Sequence, residues 1–215
     1  MAYRRTENVV RRLAARHDSI IAAAGSLAAE AGINAVQIGP VSQRAGVATG
    51  TVYRYFPSKT ELVAALVASV SERELAAMRR AADAAPGPLS ALAAAITTFA
   101  ARARASPRLA CALIAEQADG AADEARLAFR KALVAELGKR LTTAMTGGHL
   151  PDQAVGVAAP ALLGAVIEGL VGPLAASADR SAARDAVQAI TLFALRAVGV
   201  ADARARGLVV QARMP

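Results

Sequence analysis

The sequence predicts an all-α protein, with a small N-terminal unit of three helices and a larger helical C-terminal domain. Three observations predict it. Apolar residues recur at helical rather than strand spacing along the chain, and Gly and Pro fall between the periodic stretches. The apolar fraction of 55% contains only 3% aromatics and no Trp. A core of Ala, Leu, Val and Ile in which Ala leads favours helix, because Ala loses least on entering one. At 215 residues the chain can bury such a core in one large domain, or in a small one joined to a larger one.

The elements follow in order. Ile20, Ala24, Leu27 and Ala31 share one face of a first helix that begins as early as Thr6 and stops at Gly32. Two short helical pieces, 38–45 and 49–56, come next, and a longer helix covers 58–82 until Pro86-Gly87-Pro88 breaks the chain. These features divide the chain into an N-terminal unit over 1–57, a connecting helix over 58–82 and a second domain over 83–200. In that domain we expect helices at 89–105, 107–118, 121–145, 152–175 and 181–198. Ser106-Pro107 marks a helix start, where the missing N–H of Pro costs nothing. The tail, 201–215, is weakly periodic, so it is expected to fray.

Charge is unevenly spread. The chain carries a formal +8, of which residues 1–60 hold eight bases and three acids, a net of +5. A basic end suits a polyanion, either nucleic acid or an anionic membrane surface, and a solvated face accounts for it equally well on composition alone. The single Cys111 excludes an internal disulfide and a cysteine metal cluster, which fits a reducing cytoplasm; its Ala and Leu neighbours make it a small buried hydrophobe. Arg16, His17 and Asp18 interrupt any apolar run after the first arginines, so no signal peptide is indicated. The apolar stretch 155–178 holds Glu168, two prolines and four glycines, and reads as a buried helix rather than a membrane span.

The informative run is Ile38-Gly-Pro-Val-Ser-Gln-Arg-Ala45-Gly46-Val47-Ala-Thr-Gly-Thr-Val-Tyr53-Arg-Tyr55-Phe56-Pro57-Ser58-Lys59-Thr-Glu61-Leu62. Two short helices meeting at a tight turn need a small residue at the crossing, one able to take positive φ, and an apolar pin. Ala45, Gly46 and Val47 supply them in order. Val52 and Phe56 then point inward while Thr49, Thr51, Tyr53 and Tyr55 are offered outward. Pro57 ends the second helix, and Ser58-Lys59-Thr60-Glu61 reads as a capping box whose helix start, carrying Lys59, suits a phosphate.

This run, with Ile20-Ile21, Ala24 and Glu30-Ala31-Gly32 before it, resembles the DNA-binding domain of the TetR family of bacterial transcriptional regulators, over about 19–66. The remainder resembles the family in length and helix count. The resemblance implies a helix-turn-helix whose second helix reads the major groove through Thr49, Gly50, Thr51, Tyr53 and Arg54, with Tyr55, Lys59 and Gln37 on phosphates and Arg44 and Ala48 beside them. Arg54 reads a guanine, a contact worth roughly 1–3 kcal/mol of discrimination, or else meets a phosphate or is an exposed surface arginine. Ala48 stands where similar proteins often carry a capping Ser, so the reading helix either caps itself with Thr49 or is weakly capped. Gln37 replaces a common Thr, and Gly39-Pro40 opens the first short helix. The basic extension through Arg4, Arg5, Arg11, Arg12 and Arg16 reaches a minor groove or is a solvated helix.

The same resemblance implies a C-terminal domain for ligand binding and dimerisation, no enzymatic activity, and a homodimer on a palindromic double-stranded operator, released by a small apolar effector. Thr97, Phe99, Cys111, Gln117, Met145 and Glu168 are the candidate pocket residues. Ala161, Ala165 and Gly169 recur every four residues, with Leu162, Val166 and Leu170 as adjoining bulk. Together with Ile190 and Phe193 they are the candidate dimer interface. No cofactor, metal site or catalytic group is expected. His17 and His149 lack ligand spacing, and no nucleophile motif supports the alternative of a helical enzyme. A membrane-associated helical protein using the basic arm and the 155–178 stretch is the other alternative.

Overall fold

The computed structural model describes residues 2–114, 120–171 and 183–212, with side chains from Glu7 onward. Among these residues there are ten α-helices, one 3₁₀ turn and no strand. The N-terminal unit comprises α1 (Ala2–Ala31), the turn Ile33–Ala35, α2 (Ile38–Arg44) and α3 (Thr49–Tyr55). The helix α4 (Lys59–Asp83) leads into α5 (Pro88–Ala105), α6 (Pro107–Ile114), α7 (Ala121–Thr146), α8 (Val155–Leu170), α9 (Ala183–Ala197) and α10 (Asp202–Gln211).

The apolar stripe of α1 explains the first unit. Ile20, Ile21, Ala24 and Ala28 are buried and meet Val36, Ile38, Val41, Val52 and Phe56 in one small core. Helix α4 shares that core through Leu62 and Leu66 and continues for 25 residues, about 37 Å at 1.5 Å per residue, into the second domain. There α5 is the central post, buried from Ala91 to Ala100 except at Ala94, as expected of a helix apolar on all sides. It touches α4, α6, α7, α8, α9 and α10, while α4 packs along α7.

Buried charges tie α4 to α7. Glu136 lies buried on α7 and accepts from Arg79 Nε of α4 at 3.0 Å and from Arg140 Nε at 2.8 Å, and Arg140 also meets Asp83 at 2.8 Å. Each charge therefore has an opposite neighbour, which a buried ion requires.

Two boundaries differ from expectation. Helix α1 starts at Ala2 instead of Thr6. The tail, expected to fray, forms α10: Ala205, Leu208 and Val209 are buried against the second domain, and Arg206 Nε donates to Asp202 Oδ2 at 2.9 Å, with Arg196 of α9 on the same carboxylate. Burial of an i, i+3, i+4 trio outweighs the helix-weakening Gly207 between them. The far ends of the helices expected at 107–118 and 152–175, and the start of the one at 181–198, lie outside the described residues.

Candidate nucleic-acid interface and ligand cavity

The turn between α2 and α3 is set by backbone geometry. Gly46 has φ 64°, its N–H bonds the Gln43 carbonyl at 3.2 Å, and the Val47 N–H bonds the Ser42 carbonyl at 3.0 Å. These are the two bonds of a Schellman ending, which needs a residue at positive φ. Ser42, buried, donates to the Gly39 carbonyl at 2.8 Å, and its hydroxyl lies 3.2 Å from that of Thr49, so α3 is held to α2 at its first residue.

From that seat α3 divides into two faces. Val52 is fully buried and Phe56, just beyond the helix, nearly so, while Thr49, Gly50, Tyr53 and Arg54 are exposed and Thr51 and Tyr55 half-buried. Tyr53 is 51% exposed, a large aromatic surface left to solvent. Arg54 has no hydrogen-bond or ion-pair partner among the described residues. A Cβ on Gly50 would meet nothing within 4 Å. Packing therefore does not explain this glycine, whose place in a helix costs stability.

Other candidates are committed elsewhere. The Arg44 guanidinium, expected beside the DNA contacts, spans from α2 to α1: Nη2 donates to Glu30 Oε2 at 2.8 Å and Nη1 to Ser26 Oγ at 2.8 Å. Arg44's hydrogen bond, with a smaller one from Ser26, holds the Glu30 carboxyl below its ordinary value against the slight burial that would raise it. Gln37 turns its amide back onto the Asn34 carbonyl at 3.0 Å. Ala48 occupies the N-cap of α3 without a side-chain cap, so the weakly capped alternative is the one observed. The Tyr55 ring packs tilted against His17 of α1, ring centroids 6.3 Å apart, which ties α1 to the end of α3. Of the capping box, Ser58 accepts from the Glu61 N–H at 3.1 Å, and no return bond from the Glu61 carboxylate forms among the described residues. Lys59 is the first residue of α4 and is half-buried.

A cavity of about 300 Å³ opens in the second domain between α4, α5, α6 and α7. Val70, Phe99, Leu109, Leu113, Ile114 and Phe129 form its apolar walls, and Arg73, Glu74, Arg102 and Ser106 its polar part. Arg102 binds Glu74 in a two-point pair, Nε to Oε2 at 2.5 Å and Nη2 to Oε1 at 2.8 Å. Of the five candidate pocket residues that are described, only Phe99 lines this cavity. Thr97 is buried against Thr191, hydroxyls 3.3 Å apart, between α5 and α9. Cys111, expected to be buried, is half-buried on α6 outside the lining. Met145 lies in the last turn of α7, and Glu168 is exposed on α8. Gln117 lies outside the described residues. The cavity walls missed by sequence reasoning come from four separate helices and share no local pattern. A second hollow of about 490 Å³ between the end of α4, the start of α5 and α10 is lined mainly by alanines, with no charged group among its described lining residues.

The candidate dimer residues divide likewise. Leu162, Val166 and Leu170 are buried within the protomer and cannot serve a partner. Gly169 does permit close approach, but of α9 in the same chain: a Cβ there would stand 2.9 Å from Ile190 Cδ1. Ala161 and Phe193 remain exposed, the latter 54%, and Ala165 is half-buried. Among the described residues no helix is long and apolar enough to cross a membrane, and no group of three or more His, Cys, Asp or Glu could hold a metal ion.

A pinned two-helix head with an open polar and aromatic face, carried on a long helix beside a cavity-bearing helical domain, defines the class: an all-helical protein with an N-terminal helix-turn-helix. Residues 20–66 match the family described as bacterial regulatory proteins, tetR family. The HTH-type transcriptional repressor KstR of Rhodococcus jostii (strain RHA1) is 47% identical over 58 residues, 27% of each chain. KstR of Mycobacterium tuberculosis (strain ATCC 25618 / H37Rv) is 48% identical over 48 residues, 22% of each. The likeness thus spans about a quarter of these relatives. Whole-chain likeness is one of fold. RolR in complex with resorcinol superposes with a TM-score of 0.68 at 22% identity, covering 96% of this chain and 98% of that one. FadR from Bacillus subtilis in complex with stearoyl-CoA superposes at 0.66 and 20%, covering 80% and 96%.

Proposed function

We propose that the protein is a homodimeric transcriptional repressor that grips a palindromic operator with α3 and releases it when a small molecule enters the cavity between α4 and α7. The observation carrying this is the open face of α3: Gly50, Tyr53 and Arg54 stand exposed on a helix whose opposite side is locked into the core. Thr49 and Thr51 flank them, Ala48 opens the helix, and Tyr55 and Lys59 lie at its far end for phosphates. Gln37 joins them only if its amide leaves Asn34. Arg44 acts at one remove by holding α2 on α1. That the curated relatives matched in this domain are repressors supports the direction of control.

Dimerisation would use the outer faces of α8 and α9 at Ala161, Ala165 and Phe193, setting the two reading helices one DNA turn apart, roughly 34–36 Å. A cytoplasmic setting follows from a DNA partner. The cavity, rather than Thr97, Cys111, Met145 or Glu168, is the effector site, and that RolR and FadR were solved with bound small molecules supports a ligand for this fold.

Coupling would run through two elements. Helix α4 forms one cavity wall and carries Lys59. Helix α6 forms another through Leu109 and Leu113, while Arg108 of the same helix donates to the Glu30 carbonyl at the end of α1. Arg126 of α7 also grips α6 by donating to the Ala112 carbonyl at 2.5 Å.

The test is binding of the purified full chain to duplexes selected from a random pool, read by fluorescence anisotropy. Tyr53→Ala and Lys59→Ala should weaken binding at least tenfold without altering the circular dichroism spectrum or the elution volume. Unchanged affinity in both variants, or no duplex bound even at low salt, rejects the assignment.

A further inference from the structure

The charges at the cavity select a ligand class, an inference that rests on reading the cavity as the effector site. Among the described residues three ionised groups line it: Arg73 and Glu74 on α4 and Arg102 on α5. Glu74 has both oxygens occupied by Arg102, which leaves that pair neutral and satisfied. Arg73 has no ion pair or hydrogen bond among the described residues. The described lining therefore carries a net single positive charge, on a guanidinium able to take a carboxylate at two points. Behind it the walls are apolar, from Val70 and Phe99 through Leu113 to Phe129, and at about 300 Å³ the space is at the small end of ligand cavities.

We propose that the effector is a small, largely apolar monoanion, an aliphatic or aryl-substituted carboxylic acid, whose carboxylate pairs with Arg73 while its hydrocarbon part fills the space between Phe99 and Phe129. A cationic ligand would meet Arg73 unfavourably and find Glu74 already engaged. A neutral ligand would leave the rim charge unused. A polyanion finds a single unpaired cation among the described lining residues. The placement also bears on control, because Arg73 belongs to α4, the helix that begins at Lys59, four residues after the end of α3. An acid held by Arg73 and by the walls on α5 and α6 joins α4 to both.

The probes are octanoate, octanamide and octylamine, together with 4-phenylbutyrate and its primary amide, titrated calorimetrically into the full-length protein. At least one carboxylate should bind ten or more times tighter than its amide, with the amine weakest. Arg73→Gln should bring acid and amide to within about twofold, and Arg73→Lys should restore part of the preference. Equal or tighter binding of the amide or amine, or no binding by either acid, overturns the proposal. Cavity filling separates its failure from that of the effector-site reading. Ala103→Trp, or the milder Ala110→Leu should that variant misfold, blocks every probe if this cavity is the site. If filling abolishes binding but the acid is not preferred, only the ligand class falls. If binding survives filling in a folded variant, the cavity itself is not the site.

Discussion

At the scale of single residues, the least stable choice in the reading helix is the most informative. Gly50 sits inside α3 with nothing within 4 Å of where its side chain would project. Packing does not require it there, and Ala should stabilise the free protein by about 0.5–1 kcal/mol, since Gly is the poorer helix former. If the duplex backbone or a base edge approaches at this point, the same methyl group stands in its way. Gly50→Ala should therefore raise the midpoint of urea unfolding while weakening operator binding several-fold in an anisotropy titration. A variant more stable and equally tight would show that DNA does not come close at Gly50. Glu30 gives a second residue-scale expectation, for stability against pH. Its folded carboxyl lies below its ordinary value because Arg44 donates to it. A depressed carboxyl contributes stability fully above its unfolded value, about 4.3, and loses that contribution as pH falls through the lower folded value. The difference in unfolding stability between wild type and Glu30→Gln should thus be present at pH 7 and vanish on acidification. A gap that persists at pH 2 would point to some role other than the charged link to Arg44.

Between elements, the contacts that matter cross long stretches of sequence, and this separates what could be read from the chain from what could not. The α2–α3 turn was legible because its cause is local: Gly46 must take positive φ, and Ala45 and Val47 flank it. Val52 and Phe56 were legible as inward pins for the same reason. The link from Arg44 to Glu30 was not legible because its partner lies 14 residues away on another helix. The cavity was legible only at Phe99, since Val70, Leu109 and Phe129 converge through packing of α4, α6 and α7 that no spacing encodes. Helix α10 was hidden because Arg204, Arg206 and Gly207 dilute an apolar trio whose burial depends on α5 and α9 being there to receive it. The same long-range character makes Arg108 the sharpest test of coupling. It joins α6 to the α1 carbonyl at Glu30 from a helix that also walls the cavity. Arg108→Ala should leave operator affinity in the absence of ligand within about twofold but reduce the ligand-induced loss of affinity, because an allosteric effect is a coupling free energy, typically about 1–3 kcal/mol, and this is one of its two physical links. Equal release by ligand in the variant and wild type would assign the coupling to α4 alone.

At the scale of the molecule, the concentration of positive charge in residues 1–60 and the proposed dimer can be examined in one measurement. Binding to duplex DNA releases condensed counterions, so log K falls with log salt at a slope of about 0.9 per phosphate neutralised. Lys59 stands at the start of α4, where its ammonium and a capped helix end both favour a phosphate. Replacing it by Ala removes one such contact from each protomer bound. If a dimer holds the operator, the slope should shrink by about 1.8; if a single protomer binds, by about 0.9. Arg54→Ala provides the contrast. Should Arg54 read a guanine, its loss costs roughly 1–3 kcal/mol on the selected operator and much less on unrelated duplexes, with the slope little changed. Should it meet a phosphate instead, it behaves as Lys59 does. The exposed Phe193 then connects the slope to assembly. Phe193→Glu places a charge on the outer face of α9, and if that face joins two protomers it should shift the purified protein from dimer to monomer on size exclusion and halve the slope change produced by Lys59→Ala. A variant that stays dimeric and keeps the full change would move the interface off Phe193, and would do so without disturbing the assignment of α3 as the reading helix.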